Sequence, residues 1–376
     1  MPTALEYTQS MVEFDSVSSK SNVDVTNQIQ DWLRELNCEI ERVDYVDNKG
    51  VPKSNVIAKI GSGLGGLAYF GHSDVVPANT WVFQEHGPFE PTIRDGKLYG
   101  RGTTDMKGSV ACFLAAMQTI QNKKLAAPVY FCCTADEEVG MQGAERVVKE
   151  SKLYREMVEG QSRAIIGEPT MLDVVHGHKG GCSIRVTSKG RAAHSSSKEG
   201  TNANWKMIPF LAEMKALNDE LESDPNWRNE DFIPPTMTMN LGINDHTPAI
   251  NITPPQSICT VYYRQMPKID ADPVFNRILK AAEANGLEAV VNFKANPFYV
   301  EPDSPFIQEC LELAENKQPR TVAYGTDGAW YYELKQAVVM GPGSIDQAHT
   351  HDEWLELTEF DRGTDIYSRM IDRWCV

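Results

Sequence analysis

An α/β chain in two parts is predicted, and three observations predict it. Through residue 178, strand-like apolar runs alternate with helical runs, the signature of a layered domain on a largely parallel sheet. From 179 to 294 the order becomes strand–helix–strand–strand–helix–strand, a compact α+β module with a pattern of its own. The length agrees, because 376 residues exceed one comfortable core. The expected organisation is a larger domain built from 1–178 and 295–376, interrupted by an inserted module at 179–294.

In chain order, residues 22–37 place Val25, Ile29, Leu33 and Leu36 on one helical face. Apolar strand runs follow at 55–60, 67–71, 129–134 and 164–167, with a helix at 106–121. In the module, Ser183–Thr187 alternates as a half-buried strand should. A helix at 202–222 carries Met207, Leu211, Met214, Leu217 and Leu221 on one face, with Pro209 acceptable only near its first turn. Strands at 236–242 and 257–264 precede a punctuated helix, with Asp272 as N-cap, Pro273 at the first position and Gly286 beyond the end. Residues 288–293 read as a last strand, and the Pro-containing stretch 297–305 returns the chain to the first domain. There Ser304-Pro305 starts one helix and Thr358 another, whose apolar face is Ile366, Met370 and Trp374.

The balance of 36 basic against 52 acidic residues gives a net charge of −16. That excludes nucleic acid and anionic membrane as natural partners, since both call for a basic surface. Met1–Tyr7 has neither a basic nor an apolar leader region, and no apolar run approaches a membrane span. The eight cysteines form no C-x-x-C pair and mostly sit in apolar runs, as small hydrophobes of a reducing compartment do. Cytoplasm is the expected location.

The chemistry-bearing fragments are Gly71-His72-Ser73-Asp74, Thr104-Asp105-Met106, Asp136-Glu137-Glu138, Gly167-Glu168-Pro169 and Ala348-His349. They are placed at strand ends, except Asp105, which opens a helix. In open α/β sheets ligands gather beyond the carboxyl ends of strands, so fragments distant in sequence can converge there. Alone, a His-x-Asp pair is more often a satisfied surface pair, and a lone aspartate at a helix start is more often a cap. Glu137-Glu138 is harder to explain that way, because adjacent carboxylates repel unless a cation or shared proton compensates. Two divalent cations bring four positive charges; Asp105, Glu138 and Glu168 return three, and one hydroxide completes neutrality. Asp105 can bridge the cations through its two oxygens, and Asp74 can orient His72. Glu137 is then left over as a general base. Oxygen and imidazole donors without thiolate suit Zn(II), with Co(II) or Mn(II) as alternatives. Spacing alone leaves His349 and His351 in competition for the last ligand position. A non-catalytic metal binder or an interaction module would have no use for the surplus Glu137.

Gly71–Pro77, Lys97–Gly108, Thr134–Glu138 and Ile165–Thr170 together resemble the dinuclear zinc exopeptidases and deacylases, a family that includes acetylornithine deacetylases, succinyl-diaminopimelate desuccinylases and aminoacylases. The resemblance spans nearly the whole chain. It implies a zinc-exopeptidase-like α/β/α catalytic domain with a ferredoxin-like lid that also dimerises. It implies that His72, Asp105 and Glu168 hold one metal and that Asp105, Glu138 and His349 hold the other, the late A-H-x-x-[DN]-E motif selecting His349. Glu137 would be the base, and His194 would reach across a homodimer to polarise the scissile carbonyl. Asn251 and Arg264 match lid positions that meet the substrate's polar groups, Arg264 being suited to a carboxylate. Within the family, Val339–His349 and His178-Lys179-Gly180 look most like the acetylornithine deacetylase branch, whereas Gly325-Thr326-Asp327-Gly328 is closer to the desuccinylase type. His178 and Thr326 are accordingly expected beside the substrate. Lys179 is the nearest cation for an additional acyl carboxylate. The implied activity is hydrolysis of an N-acyl amino acid, N-acetyl-L-ornithine first, with N-succinyl-diaminopimelate or a broader aminoacylase or dipeptidase range as the alternative.

Overall fold

The computed structural model describes residues 1–247 and 249–376. They divide into two compact units: Met1–Gly177 with Val300–Arg320 and Thr326–Val376, and His178–Tyr299 with Thr321–Gly325. The brief excursion at 321–325 has no counterpart in the sequence pattern.

The larger unit is built on a sheet whose strands run, in spatial order, Glu39–Val46, Pro52–Ile60, Val129–Thr134, Leu67–His72, Arg163–Ile166, Ala337–Val339 and Val175–His178. From Val129–Thr134 to Ala337–Val339 neighbouring strands are parallel, as the alternation predicts; on either side of them the pairing is antiparallel. Every residue of Leu67–His72 and Val129–Thr134 is buried, which is why both read as unbroken apolar runs. Cys132 and Cys133 fall on opposite faces and are both covered, so helices close both sides. One core joins Tyr7 and Met11 of Ala4–Val12, Ile29 and Leu33 of Val23–Glu35, Phe113 of Gly108–Gln118, and Tyr367 and Met370 of Leu357–Cys375. Tyr69 stacks on Phe113 with ring centroids 4.4 Å apart. Truncating so central an aromatic costs about 3–5 kcal/mol. A small sheet of Thr92–Arg94, Lys97–Tyr99 and Trp354–Glu356, too short to be legible in sequence, joins two distant loops.

In the smaller unit the six elements occur in the expected order, and the strand order is second–third–first–fourth, that of a ferredoxin-like fold. Helices Ala203–Ser223 and Asp272–Ala284 pack on one side of this antiparallel sheet, burying Met207, Phe210, Met214, Leu217, Val274 and Ile278. Two helix details differ from the sequence reading. Pro209 lies beyond the first turn, so the helix carries it in its interior, where it offers no N–H to the Trp205 carbonyl. Asp272 is inside its helix, and Asp270 instead accepts from the Asp272 N–H at 2.9 Å. Ser304 does cap Pro305–Ala314, accepting from Ile307, whereas Leu357–Cys375 starts one residue before Thr358 with no side-chain cap. Among the described residues no helix is long and apolar enough to cross a membrane.

Candidate metal centre

Sheet register begins the assembly of the site. His72 ends the central strand and pairs with Thr134, so the acidic turn three residues further on emerges beside it. The His72 Nδ1 faces the main-chain carbonyl of Asp74 at 2.9 Å. A carbonyl can only accept, so in the neutral ring Nδ1 carries the proton and Nε2 keeps its lone pair. That Nε2 lies 3.1 Å from Asp105 Oδ1 and 3.8 Å from Glu168 Oε1. The Asp74 carboxylate, expected to orient His72, is 3.7 Å from Nδ1 and works elsewhere. It accepts from Ser18 Oγ at 2.7 Å and from the Glu137 and Glu138 N–H groups at 3.2 and 3.4 Å. Asp74 therefore orients His72 through its backbone and fixes the acidic turn through its side chain.

Glu137 and Glu138 form a single helical turn, Glu137–Val139, entered through Asp136 at φ +58°. Asp136 is anchored by Lys53 at 2.5 Å and Tyr45 at 2.8 Å. Asp105 sits in a tight turn, Thr103–Lys107, and caps nothing. Its Oδ1 faces His72, while its Oδ2 lies 3.2 Å from His349 Nε2. The same His349 nitrogen is 3.0 Å from Glu138 Oε2. His349 is not at a strand end; it occupies a turn with φ +63°, between Ala337–Val339 and Trp354–Glu356. His351 is exposed, and its carbonyl accepts from Val82.

Without a cation this is a crowd of conflicting charges. Burial, then Glu168, pushes Glu137 well above the carboxylate range; burial, then Asp105, does the same to Glu168. Burial and Asp105 raise Glu138 to about 7. Burial opposes the charge on His72, but Asp105, Glu168, Glu137 and Asp74 together lift its pKa well above the usual value. Hydrogen bonds to Asp105 and Glu138 raise His349 to about 10. Divalent cations relieve such a set, because they neutralise the carboxylates and leave the imidazoles neutral. The fit is good: in His72–Glu137–Glu168 and in His72–Asp105–Glu138, donor atoms lie within 4.8 Å of one another. Those groupings include Glu137 and omit His349, yet His349 is 3.0 and 3.2 Å from Glu138 and Asp105. His349 therefore joins the cluster through Asp105 and Glu138, and Glu137 lies beside it. The donors are oxygen and imidazole, with no thiolate among them.

Sequence reasoning passed over several supporting groups. Glu353 is fully buried and accepts from the N–H groups of Gly102, Thr104 and Asp105. Asp327, whose pKa burial lifts to about 7, accepts from Thr134 Oγ1 at 2.7 Å. Both stand inside motifs that were legible; what was missing was any sign of which backbone they would hold. Thr326 caps the short turn Asp327–Ala329, accepting from the Gly328 N–H at 3.0 Å.

The remaining nominated residues belong to the smaller unit. His194 is exposed and within 2.7 Å of Ser196 Oγ, on a loop joined to Asn251 by the Ser195 N–H to Asn251 carbonyl bond. The Arg264 guanidinium lies over the Tyr262 ring, 4.9 Å from its centroid. His178 is buried against Phe298, and burial lowers its pKa to about 4. Lys179, read as the nearest cation for an additional acyl carboxylate, is buried and donates to the carbonyls of Pro234 and Thr236 at 2.7 and 2.9 Å.

Residues 68–373 match the family model described as peptidase family M20/M25/M40. The chain belongs to that family. It is 31 % identical over its full length to a protein named acetylornithine deacetylase from Proteus mirabilis strain HI4320, of which it covers 98 %. Among solved structures it is similar to an M20 family metallo-carboxypeptidase from Sulfolobus solfataricus, with a TM-score of 0.75, 17 % identity and 99 % of each chain covered. It also resembles a dinuclear metal-binding M20 peptidase from Bacillus subtilis, with a TM-score of 0.66 and 16 % identity over 98 % of this chain and 96 % of that one. This M20 family member is thus a metal-dependent amide hydrolase, with carboxylate and imidazole groups arranged to hold metal.

Proposed function

We propose that the chain is a dinuclear deacylase of N-acyl amino acids that converts N-acetyl-L-ornithine to ornithine and acetate. The observation that carries the dinuclear reading is Asp105, whose two oxygens face two different imidazoles at 3.1 and 3.2 Å. Support for the substrate is the full-length similarity to proteins named acetylornithine deacetylase. His72, Asp105 and Glu168 would hold one cation, and Asp105, Glu138 and His349 the other, with Zn(II) preferred for this donor set. When bound, such cations lower the pKa of water and polarise a carbonyl oxygen.

The chain's own residues do the rest. Glu137 takes a proton from the attacking water and delivers it to the amide nitrogen as the C–N bond breaks, so the acid leaves with the hydroxyl and the amine with the proton. Asp74 keeps Glu137 aimed by holding the N–H groups of its turn. Arg264 would pair with the substrate carboxylate, and Asn251, Thr326 and His178 are the other residues proposed to bind substrate. His194 of the partner subunit, in a homodimer joined through the inserted module, donates to the developing oxyanion. The eight free cysteines suit the cytoplasm.

The test is a panel of N-acyl amino acids assayed for free amine after Zn(II) or Co(II) is restored. N-acetylornithine should exceed N-succinyl-diaminopimelate in kcat/KM by at least about tenfold, or roughly 1.4 kcal/mol. Lys179, shut in by two carbonyls, is no cation for the succinyl group. A reversed preference would move the chain to the desuccinylase branch.

A further inference from the structure

Two of the three ligands of the first cation position hang from the sheet: His72 ends Leu67–His72, and Glu168 follows Arg163–Ile166, while Asp105 is shared by both positions. The second position is built differently. Its histidine lies in a turn, with a left-handed backbone and a side chain 53 % exposed, so the sheet does not fix it. Something else must set its distance from Asp105.

One buried ion pair spans that gap. Arg101 and Glu353 meet at 2.7 Å, both side chains at most 1 % exposed. Glu353 Oε1 accepts from the Thr104 and Asp105 N–H groups, each at 2.9 Å, and Oε2 from Gly102 at 2.9 Å. Arg101 Nη2 reaches the carbonyl of Thr350, the residue after His349, at 2.7 Å, and more distantly that of Pro77 at 3.5 Å. The Trp354–Tyr99 strand pair, the Gly100 N–H to Glu353 carbonyl bond at 3.1 Å and the Thr104 Oγ1 to Trp354 carbonyl bond at 2.6 Å already join the roots of the two loops; the ion pair carries that join on toward Thr350. Desolvation cancels much of a buried pair's attraction, so such a pair adds little stability over apolar packing of the same volume. What this one supplies is direction, through three N–H groups on one loop and a carbonyl on the other.

We propose that the Arg101–Glu353 pair is a latch that sets the separation of the Asp105 and His349 turns and thereby controls the second cation position selectively. It rests on the two-cation reading above. Both are positioning residues, since neither reaches the metal or substrate. Arg101→Lys keeps the charge but loses the planar fork that serves Glu353 and Thr350 together. Glu353→Gln keeps the shape but turns an amide donor toward Arg101 and Gly102.

The experiment is calorimetric titration of the chelated full-length protein with Zn(II), with Co(II) absorption counting occupied positions and His349→Ala as the reference for losing the second. Each latch variant should bind the first cation within about threefold of wild type and the second about 10- to 100-fold more weakly, the range for lost outer hydrogen bonds at metal sites. Two cations held with wild-type affinities by folded variants would overturn the proposal. So would equal weakening of both positions, which marks a general structural role, or unfolding of both variants, which means that the pair holds the domain and not two turns. A wild-type chain that takes up one cation overturns the two-cation reading itself and the latch with it, and the wild-type trace alone reveals that case.

Discussion

In the larger unit, side chains from five separate segments converge until their donor atoms are about hydrogen-bond distance apart, and their charges conflict. In the smaller unit three of the nominated residues are settled locally: His194 by Ser196, Arg264 by Tyr262, His178 by Phe298 and the Lys179 carbonyl. The difference separates two kinds of functional residue. Groups whose mutual repulsion has no local remedy mark a place able to hold a cation. Groups at rest in their own surroundings announce nothing until a substrate meets them.

The largest expected effects test the conflicted cluster. Exhaustive chelation should abolish activity and lower the melting temperature, because bound cations stabilise the folded state by mass action. Full activity in protein shown metal-free by elemental analysis would end the metal reading. Within the acidic pair, Glu137→Gln should retain both metals and lose about 10²–10⁴-fold in turnover. Glu138→Gln should instead lose metal, since its carboxylate faces His349. Equal metal loss in both variants would break the division of roles between these neighbours.

How far the sequence could be read follows the same line. His72, Asp105, Glu137, Glu138 and Glu168 were legible because each stands where an apolar run ends or a tight turn begins, and a carboxylate there needs a reason. His349 needed the family resemblance, since spacing could not separate it from His351; in the structure His349 lies 3.2 Å from Asp105 and 3.0 Å from Glu138. The strand–helix–strand–strand–helix–strand order of the smaller unit was legible from periodicity, because its two helices and the strands Gly181–Lys189 and Gln256–Tyr263 each bury one clear face. The three-residue strands around Tyr99 and Trp354 were not, as so few residues carry no period. Nor was the burial of Lys179, whose two acceptors are main-chain carbonyls more than fifty residues away.

A smaller effect is expected from the quiet residues. His194→Ala should lower turnover by about 10²-fold, as for loss of one oxyanion donor, with metal content unchanged. If the donor comes from the partner, mixing His194→Ala with Glu137→Gln should restore activity, because one site in the mixed dimer has an intact Glu137 and an intact His194. Subunit exchange demonstrated without recovery would confine His194 to its own chain.

The smallest effect sharpens the contrast from the side of stability. His178 is fully buried, and burial holds its pKa at about 4, below the ordinary histidine value of 6.5. The folded chain therefore keeps this imidazole neutral where the unfolded chain takes up a proton. Stability from this group is complete above pH 6.5 and is lost progressively as the pH falls from 6.5 toward 4. Between pH 7.5 and 5.5 the loss should be about 1 kcal/mol. Urea unfolding of metal-free protein measures it, with His178→Gln as the comparison, so that the titrations of the metal cluster are common to both chains and cancel. The wild type should lose about 1 kcal/mol more than the variant across that interval. Identical pH dependence would mean that His178 takes up protons in the folded state and is reached by solvent.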